Sequence, residues 1–447
     1  MTKDLTSGSP LKLILGFAFP VFLGMLFQQF YNMVDTMIVG KFLGVEPLAG
    51  VGSTGSLNFM VIGFCMGICN GFAIPIAQKF GARQESELHR YVANCAWICI
   101  LIAVVLTTAV AVLCRPILHL MDTPDNIYDY AYHYIFIIFC GIPFTILYNM
   151  LAAIIQSLGD SRTPVVFLAI SSVTNIVLDI VFILVLGMGV EGPALATVIA
   201  QAFSGLICLT YVRKKYTILR MNREERKFRG RYIGKLCYMG IPMGLQYSIT
   251  AIGSLVIQTA VNGFGSTVVA GVTAAQRINC FMGCPIEALG ATMAPYSGQN
   301  MGAGRIERIG QGTRTASLCG FAAAFVLLGI DILFGKSLVM LFLDVPDPEV
   351  IRYAYQFIVT TACGYCLLTL VNTVRFTIQG MGFSVFAITS GVLEMIARSL
   401  AGLVVVPRIG FTGICLAHIM AWIFADTFLI PAFFYCKKKV LRAHGQA

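Results

Sequence analysis

Charge is scarce in this 447-residue chain. Only 12% of its residues are Asp, Glu, Lys or Arg, about half the share of a soluble globular protein. That scarcity excludes disorder and nucleic-acid binding as primary readings, and it argues strongly against a soluble enzyme. Long polar runs are missing too, apart from one at 213–235. The chain has no complete GxxxxGK[ST] phosphate loop, so nucleotide hydrolysis within it is not the energy source. It has no Asp-Asp pair and no Ser/His/Asp spacing of the kind a membrane enzyme would need. The opening MTKDLTSGSPLKLILGFAFP lacks a signal-peptide cleavage pattern and is expected to remain as the first membrane helix. Fifteen cysteines are present, nearly all inside apolar runs and far from any His. They include Cys65, Cys69, Cys95, Cys99, Cys280, Cys284, Cys363 and Cys366. That distribution suits small packing residues and not a zinc site.

What the chain has in quantity is apolar length. Hydrophobic residues make up 57%, and the mean hydropathy is +0.82. Apolar segments fall at about 12–42, 48–80, 91–114, 127–157, 164–187 and 191–212, then at 236–264, 267–299, 311–343, 351–379, 384–406 and 411–436. Each is long enough to cross a bilayer as a helix. The predicted fold is therefore all-α, a polytopic membrane protein with 12 transmembrane helices, numbered here as spans 1 to 12. Its parts are an N-terminal six-helix lobe at 1–212, a basic linker at 213–235 and a C-terminal six-helix lobe at 236–447.

The net charge of +10 reads as topology, because Lys and Arg collect in cytoplasmic loops. Ten of them lie between Arg213 and Lys235, against only Glu224 and Glu225. With an even number of spans both termini share the linker's side, and both are basic: Lys3 and Lys12, then Lys437, Lys438, Lys439 and Arg442. The other loops expected inside carry Lys79, Arg83, Arg90, Arg162, Arg305, Arg308 and Arg314. Loops on the opposite side are short or acidic, with Asp122, Asp125, Asp344, Asp347 and Glu349. The expected location is a bacterial-type cytoplasmic membrane with both termini in the cytoplasm.

The two halves are copies. LMDTPDNIYDYAYHYI at 120–135 reappears as LFLDVPDPEVIRYAYQFI at 341–358, and LAGVGS at 48–53 as VAGVTA at 269–274. Pro20 matches Pro242, and Gln156-Ser-Leu-Gly159 matches Gln379-Gly-Met-Gly382, at an offset that stays between about 220 and 223. Six spans separate the copies, so the repeats run parallel, an arrangement typical of transporters.

Ionisable residues inside apolar spans are costly and by default functional. Span 1 carries Asp35, span 5 carries Asn175 and Asp179, and span 6 carries Thr197. Asn175 and Asp179 are four apart and share a helix face. Counted from the nearest loop glycines at 1.5 Å per residue, Asp35, Asp179 and Thr197 lie at one depth, roughly 8–14 Å down. Two carboxylates, an amide and a hydroxyl suit a hard cation such as Na⁺. They suit a proton equally well, since two nearby carboxylates in a dry site cannot both ionise cheaply and would titrate as a pair. The bland alternative is that Asn175, Asp179 and Thr197 only tie helices together.

The second lobe differs. Glu394 and Arg398 in span 11 have the same spacing, and Glu287, Arg375 and Asp426 lie in spans 8, 10 and 12. Glu394 and Arg398 either neutralise each other within the helix or act in transport. Gly50-Val-Gly-Ser-Thr-Gly55 fits GxGxxG but follows no strand, so it is not a dinucleotide site. Gly63, Gly67 and Gly71 form a stripe for close helix packing. Pro20 stands inside span 1, where it removes a backbone hydrogen bond and should allow a bend.

The segments FQQFYNMVDTMIVGKFLG, LAGVGSTGSLNF, FAIPIAQKFGA, QSLGDSRTP, TNIVLDIVFILVLGMGVEGPALATVIAQ and APYSGQNMGAGR resemble, in order, those of multidrug and toxic compound extrusion (MATE) transporters. The resemblance implies a cation-coupled antiporter with two six-helix lobes that exports amphipathic, often cationic, compounds. Its first-lobe site maps onto Asp35, Asn175, Asp179 and Thr197, and its bending proline onto Pro20. The NorM-like branch has a Glu in span 7, where this chain has Ile249 and Thr250. The Glu394/Arg398 pair also differs from that branch's acidic cluster, so the resemblance is to the DinF-like side, without a second-lobe cation site. No cofactor is expected beyond Na⁺ or H⁺ as coupling ion. Expected partners are small amphipathic substrates and membrane lipids, with no nucleic acid, and the chain is expected to act as a monomer. A flippase for a lipid-linked precursor is the alternative, for which Arg375 or Arg398 would begin a phosphate-binding cavity.

Overall fold

The computed structural model describes residues 2–121, 123–342 and 347–443. Asp122 and Asp344 of the expected outer loops lie outside the described residues. Among the described residues the chain is helical throughout, with no strand. The first half runs α1 (Pro10–Leu43), α2 (Val45–Ser53), α3 (Gly55–Gly81), α4 (Glu85–Leu120), α5 (Asp125–Cys140), α6 (Ile142–Ser157), α7 (Arg162–Ile180) and α8 (Glu191–Lys215). The second runs α9 (Gly230–Asn262), α10 (Ser266–Gly302), α11 (Ile306–Met340), α12 (Pro348–Cys363), α13 (Tyr365–Gly380), α14 (Ser384–Leu400), α15 (Val406–Ile409) and α16 (Phe411–Ala443).

Nine helical spans are long and apolar enough to cross a membrane, and the bent pairs α5/α6 and α12/α13 bring the number to eleven among the described residues. The 37-residue α10 has the length, but Gly, Ser, Thr, Gln and Asn dilute its apolar character. With it the count agrees with twelve spans.

Duplication is written into the backbone more plainly than into the side chains. The continuous apolar run of span 4 is broken at Gly141 by a bend of 48°, and that of span 10 at Gly364 by 50°. A side chain at Gly141 would run into Val198 of α8, and one at Gly364 into Ile419 and Trp422 of α16. Glycine at each bend thus lets the equivalent neighbouring helix close in. The exposed cysteines Cys140 and Cys363 stand immediately before the two glycines. Spans 5 and 11 both relax into a π turn, at Val181–Val185 and Ala401–Val405. Left-handed glycines recur in pairs, Gly44 with Gly265, Gly159 with Gly382 and Gly187 with Gly410. Gly304 answers to Arg83, whose φ of 57° costs an L-residue about 1–2 kcal/mol.

By internal contacts the chain divides into two compact units, one of Met1–Asp4 with Leu23–Gly244 and one of Leu5–Phe22 with Leu245–Ala447. Phe72, Phe139, Ile142 and Leu151 lie in the core of the first. Two clusters, around Phe357 and around Tyr365, fill the second. Within the second unit, Leu5 N donates to Gln299 Oε1 at 2.8 Å and Arg308 Nη2 to Gly8 O at 2.9 Å.

Helix persists into the expected linker from both sides, so only 216–229 lies outside α8 and α9. Arg213, Lys214 and Lys215 form the last turn of α8, where cations favour the helix dipole. The remainder is docked on α4 of the first unit. His89 lies 3.0 Å from Glu225, Trp97 Nε1 donates to Arg226 O at 3.1 Å, and Arg229 N donates to Asn94 Oδ1 at 2.8 Å. Hydrogen bonds from Asn222 and His89 hold the Glu225 carboxyl below its ordinary range.

Candidate functional site

In the first unit α7 supplies two polar side chains to one buried face. Asn175 is 2% exposed and Asp179 fully buried, one turn apart. The partner helix α8 brings Thr197, whose hydroxyl accepts from Asn175 Nδ2 at 3.3 Å. Helix α1 contributes Asp35, whose carboxyl adjoins that of Asp179. The structure thus gathers into one unit Asn175 and the three residues, Asp35, Asp179 and Thr197, that sequence spacing placed at one depth.

Among the described residues no hydrogen-bond donor reaches Asp35 Oδ1, Asn175 Oδ1 or either oxygen of Asp179. Neither aspartate forms an ion pair among the described residues. Two neighbouring carboxyls without a cation are expensive in an apolar surround unless a proton or a cation joins them. Tyr31 and Tyr134 lie within electrostatic reach of both aspartates. Sequence reading passed over them. Tyr31 precedes Asp35 by one helical turn, and that spacing was a usable signal. Tyr134 comes from α5, and nothing local points from it to Asp35. Immediately after Asp179 the backbone enters the π turn, a widening frequent at functional sites.

The second unit holds one compensated cluster. Glu394 of α14 accepts from Arg398 Nη2 at 3.2 Å and, across the helix boundary, from Arg375 Nη2 of α13. Arg375 Nε also donates to Ser390 Oγ at 3.1 Å. One carboxylate therefore serves two guanidiniums, and the intrahelical pair is part of a larger cluster. Gly253 of α9 leaves room for the Arg398 side chain, which a Cβ there would meet at 3.3 Å. Asp426 of α16 lies within electrostatic range of Arg375 and Glu394, with neither oxygen hydrogen-bonded. Close by, Gln379 Nε2 donates to Gln246 Oε1 at 2.9 Å. Glu287 of α10 is exposed on its span and forms no ion pair among the described residues.

Pro20 lies inside α1, which stays helical on both sides of it. By contacts it belongs to the second unit, whereas Asp35, fifteen residues on, belongs to the first.

The family model described as MatE matches this chain twice, over residues 20–181 and 242–405. The two matches coincide with the two copies. The probable multidrug resistance protein YoeA of Bacillus subtilis is 28% identical over 388 residues, covering 83% of each chain. The DNA damage-inducible protein F of Escherichia coli is 29% identical over 204 residues, 44% of this chain and 43% of that one. Among solved structures, the outward-facing conformation of a multidrug resistance MATE family transporter of the MOP superfamily superposes with a TM-score of 0.89 at 20% identity. It covers 98% of both chains. With a duplicated twelve-span fold, and a family match that repeats with the duplication, this chain belongs to the MatE family of multidrug and toxic compound extrusion transporters.

Proposed function

We propose that the protein is an antiporter, driven by Na⁺ or H⁺, that exports amphipathic, often cationic, compounds across a bacterial-type cytoplasmic membrane by alternating access. The observation that carries this reading is the Asp35/Asp179 pair: adjoining carboxyls with no cation of their own and three oxygens without a donor. Such a pair has a use for an ion from outside. Its occupancy changes the energetics of α1, and that ion must bind the two conformations with different affinity in order to drive anything. Asn175 and Thr197 complete a set of oxygen ligands suited to Na⁺ or to a relayed proton. Glu287, exposed on its span without an ion pair, supports a cationic substrate. Pro20 leaves one carbonyl of α1 without its intrahelical donor and gives that helix a place to change shape.

A flippase would need open cationic groups to hold a phosphate. Arg375 already serves Glu394 and Ser390, and Arg398 also serves Glu394, so the flippase reading is left with only the unpartnered Nε and Nη1 of Arg398. Dye efflux from reconstituted vesicles, under a Na⁺ gradient alone and a pH gradient alone, tests the antiport reading. One gradient should drive efflux in the wild type and fail with Asp35→Asn. Efflux indifferent to both gradients would overturn it.

A further inference from the structure

Asp331 carries no motif. It sits in the apolar run GIDILF of α11, is fully buried, and neither of its carboxyl oxygens has a hydrogen-bond partner. Helices α10, α12 and α13, and more lightly α16, pack against α11, and several of their polar groups are engaged elsewhere. The Tyr365 hydroxyl of α13 lies beside Asp331 yet donates to Asn279 Oδ1 of α10 at 3.3 Å. Tyr355 of α12 gives its hydroxyl to Ile332 O at 3.1 Å. The Lys336 ammonium, five residues along α11, rests 5.3 Å from the centre of the Tyr355 ring. Cys280 of α10 lies within electrostatic reach of Tyr365, and Arg277, one turn before Cys280, is exposed. No cation pairs with Asp331 among the described residues.

A bare carboxylate here has neither counter-charge nor donor, an arrangement that membrane proteins keep for a function. A neutral carboxyl needs only one acceptor for its O–H. The Tyr365 oxygen beside it is able to serve as that acceptor, since it keeps its lone pairs after donating to Asn279. A metal ion would need a shell of oxygens, and the Asn279 oxygen is already taken by Tyr365. The chemistry fits a proton. The duplication also sets the position apart. The offset of 220 to 223 lands on Thr108, Ala109, Val110 and Ala111, so the acid is no inherited scaffold residue.

We propose that Asp331, positioned by Tyr365 and Asn279, is a proton-exchange site of the second unit, separate from the ion handled at Asp35 and Asp179. An O–H bond forms on one carboxyl oxygen as a proton arrives from water. It breaks as that proton returns, and no other bond changes. The proposal rests on the protein being a transporter and goes beyond the first-unit site.

The test is proton release from purified protein on adding the transported dye, read with a pH indicator, beside the pH profile of dye efflux from vesicles. Asp331→Asn should release one proton fewer per dye and lose one titration from the profile, while Asp331→Glu should restore both. Tyr365→Phe, which keeps the ring and removes the hydroxyl, should displace that titration by about one pH unit, the scale of one hydrogen bond to a carboxyl. An unchanged proton count and profile in Asp331→Asn overturns the proposal. If that variant does not fold, an unmoved titration in Tyr365→Phe overturns it instead. Failure of the antiport reading shows separately, in Asp35→Asn, and leaves the Asp331 readouts intact.

Discussion

The two units share backbone landmarks, yet the polar clusters on their corresponding spans 5 and 11 are built in opposite ways. In the first, Asp35 and Asp179 adjoin with no cation to offset them among the described residues. In the second, Glu394 accepts from both Arg375 and Arg398. A charge neutralised from within the protein has little need of an ion from outside, and a bare pair has every need of one. The comparison shows how duplication can preserve a scaffold while its halves divide the work. Bends, π turns and left-handed positions stay in register. The ionisable residues at corresponding levels have diverged.

The comparison can be broken most directly at Asp35. Asp35→Asn keeps size and removes charge, so it should cut gradient-driven dye efflux to the background of empty vesicles while the protein still inserts and folds. Wild-type efflux in that variant would make the bare carboxyl pair irrelevant to coupling.

A second effect, on stability, should come from the compensated cluster. Glu394→Gln strands two guanidiniums and should destabilise by about 3–5 kcal/mol, the range for removing one partner of a buried pair. Arg398→Met leaves Glu394 still bonded to Arg375 and should cost less. The double variant should fall below Glu394→Gln alone, because one stranded charge costs less than two. Thermal unfolding in detergent measures all three. A double variant as unstable as the two single losses added together would show that the side chains do not act as a cluster.

Pro20→Ala sharpens the comparison at the helix whose ends count with different units. Restoring the missing backbone bond should slow turnover several-fold while drug affinity changes little, since the lesion lies in switching and not in contacts. Proportional loss of both, or of neither, removes the hinge.

The smallest effect is expected at Asp160, which precedes α7. Its Oδ1 accepts from the backbone N–H of Arg162 at 3.0 Å and of Thr163 at 3.1 Å, and its Oδ2 from the Tyr216 hydroxyl at 2.6 Å. Burial acts to raise its pKa, but hydrogen bonds from Tyr216 and Thr163 outweigh that and hold the carboxyl below the usual range. A depressed value in the folded state means stabilisation that is complete above the unfolded value. It fades as pH falls through the folded one. Asp160→Asn keeps the Oδ1 acceptor but removes the Oδ2 that the Tyr216 and Thr163 hydroxyls bond, so it should cost about 1 kcal/mol at neutral pH, the scale of one net hydrogen bond, and the gap should narrow on acidification. Unfolding curves across pH for both proteins check it.

Much of this was legible in the sequence because membrane helices announce themselves locally. Apolar length, the duplicate motifs and the rarity of Asp35 and Asp179 are one-dimensional signals. The bend at Gly141 was not legible, since the apolar run at 127–157 passes through it unbroken and the cause lies in α8. Nor was the bond from Arg375 to Glu394, which joins two spans across nineteen residues. Tyr134 was hidden for the same reason: its meaning depends on α1 and α7. Asp331 was in plain view as a lone acid in an apolar run, yet only the engagement of its neighbours elsewhere makes it notable. The linker is shorter than its charge pattern implied, because helices do not stop where hydrophobicity does.

The paired bends carry one more consequence. Cys140 and Cys363 stand one residue before Gly141 and Gly364, and among the described residues only these two and Cys280 are exposed cysteines. The chain therefore comes with a thiol beside each bend. With Cys280 and the half-buried Cys237, Cys319 and Cys366 replaced by Ser, a small maleimide-linked fluorophore would attach beside those two positions in preference to the buried thiols. Removing Cys140 or Cys363 in turn would leave a single reporter, and its emission during turnover would show whether each bend flexes while the protein works or stays rigid.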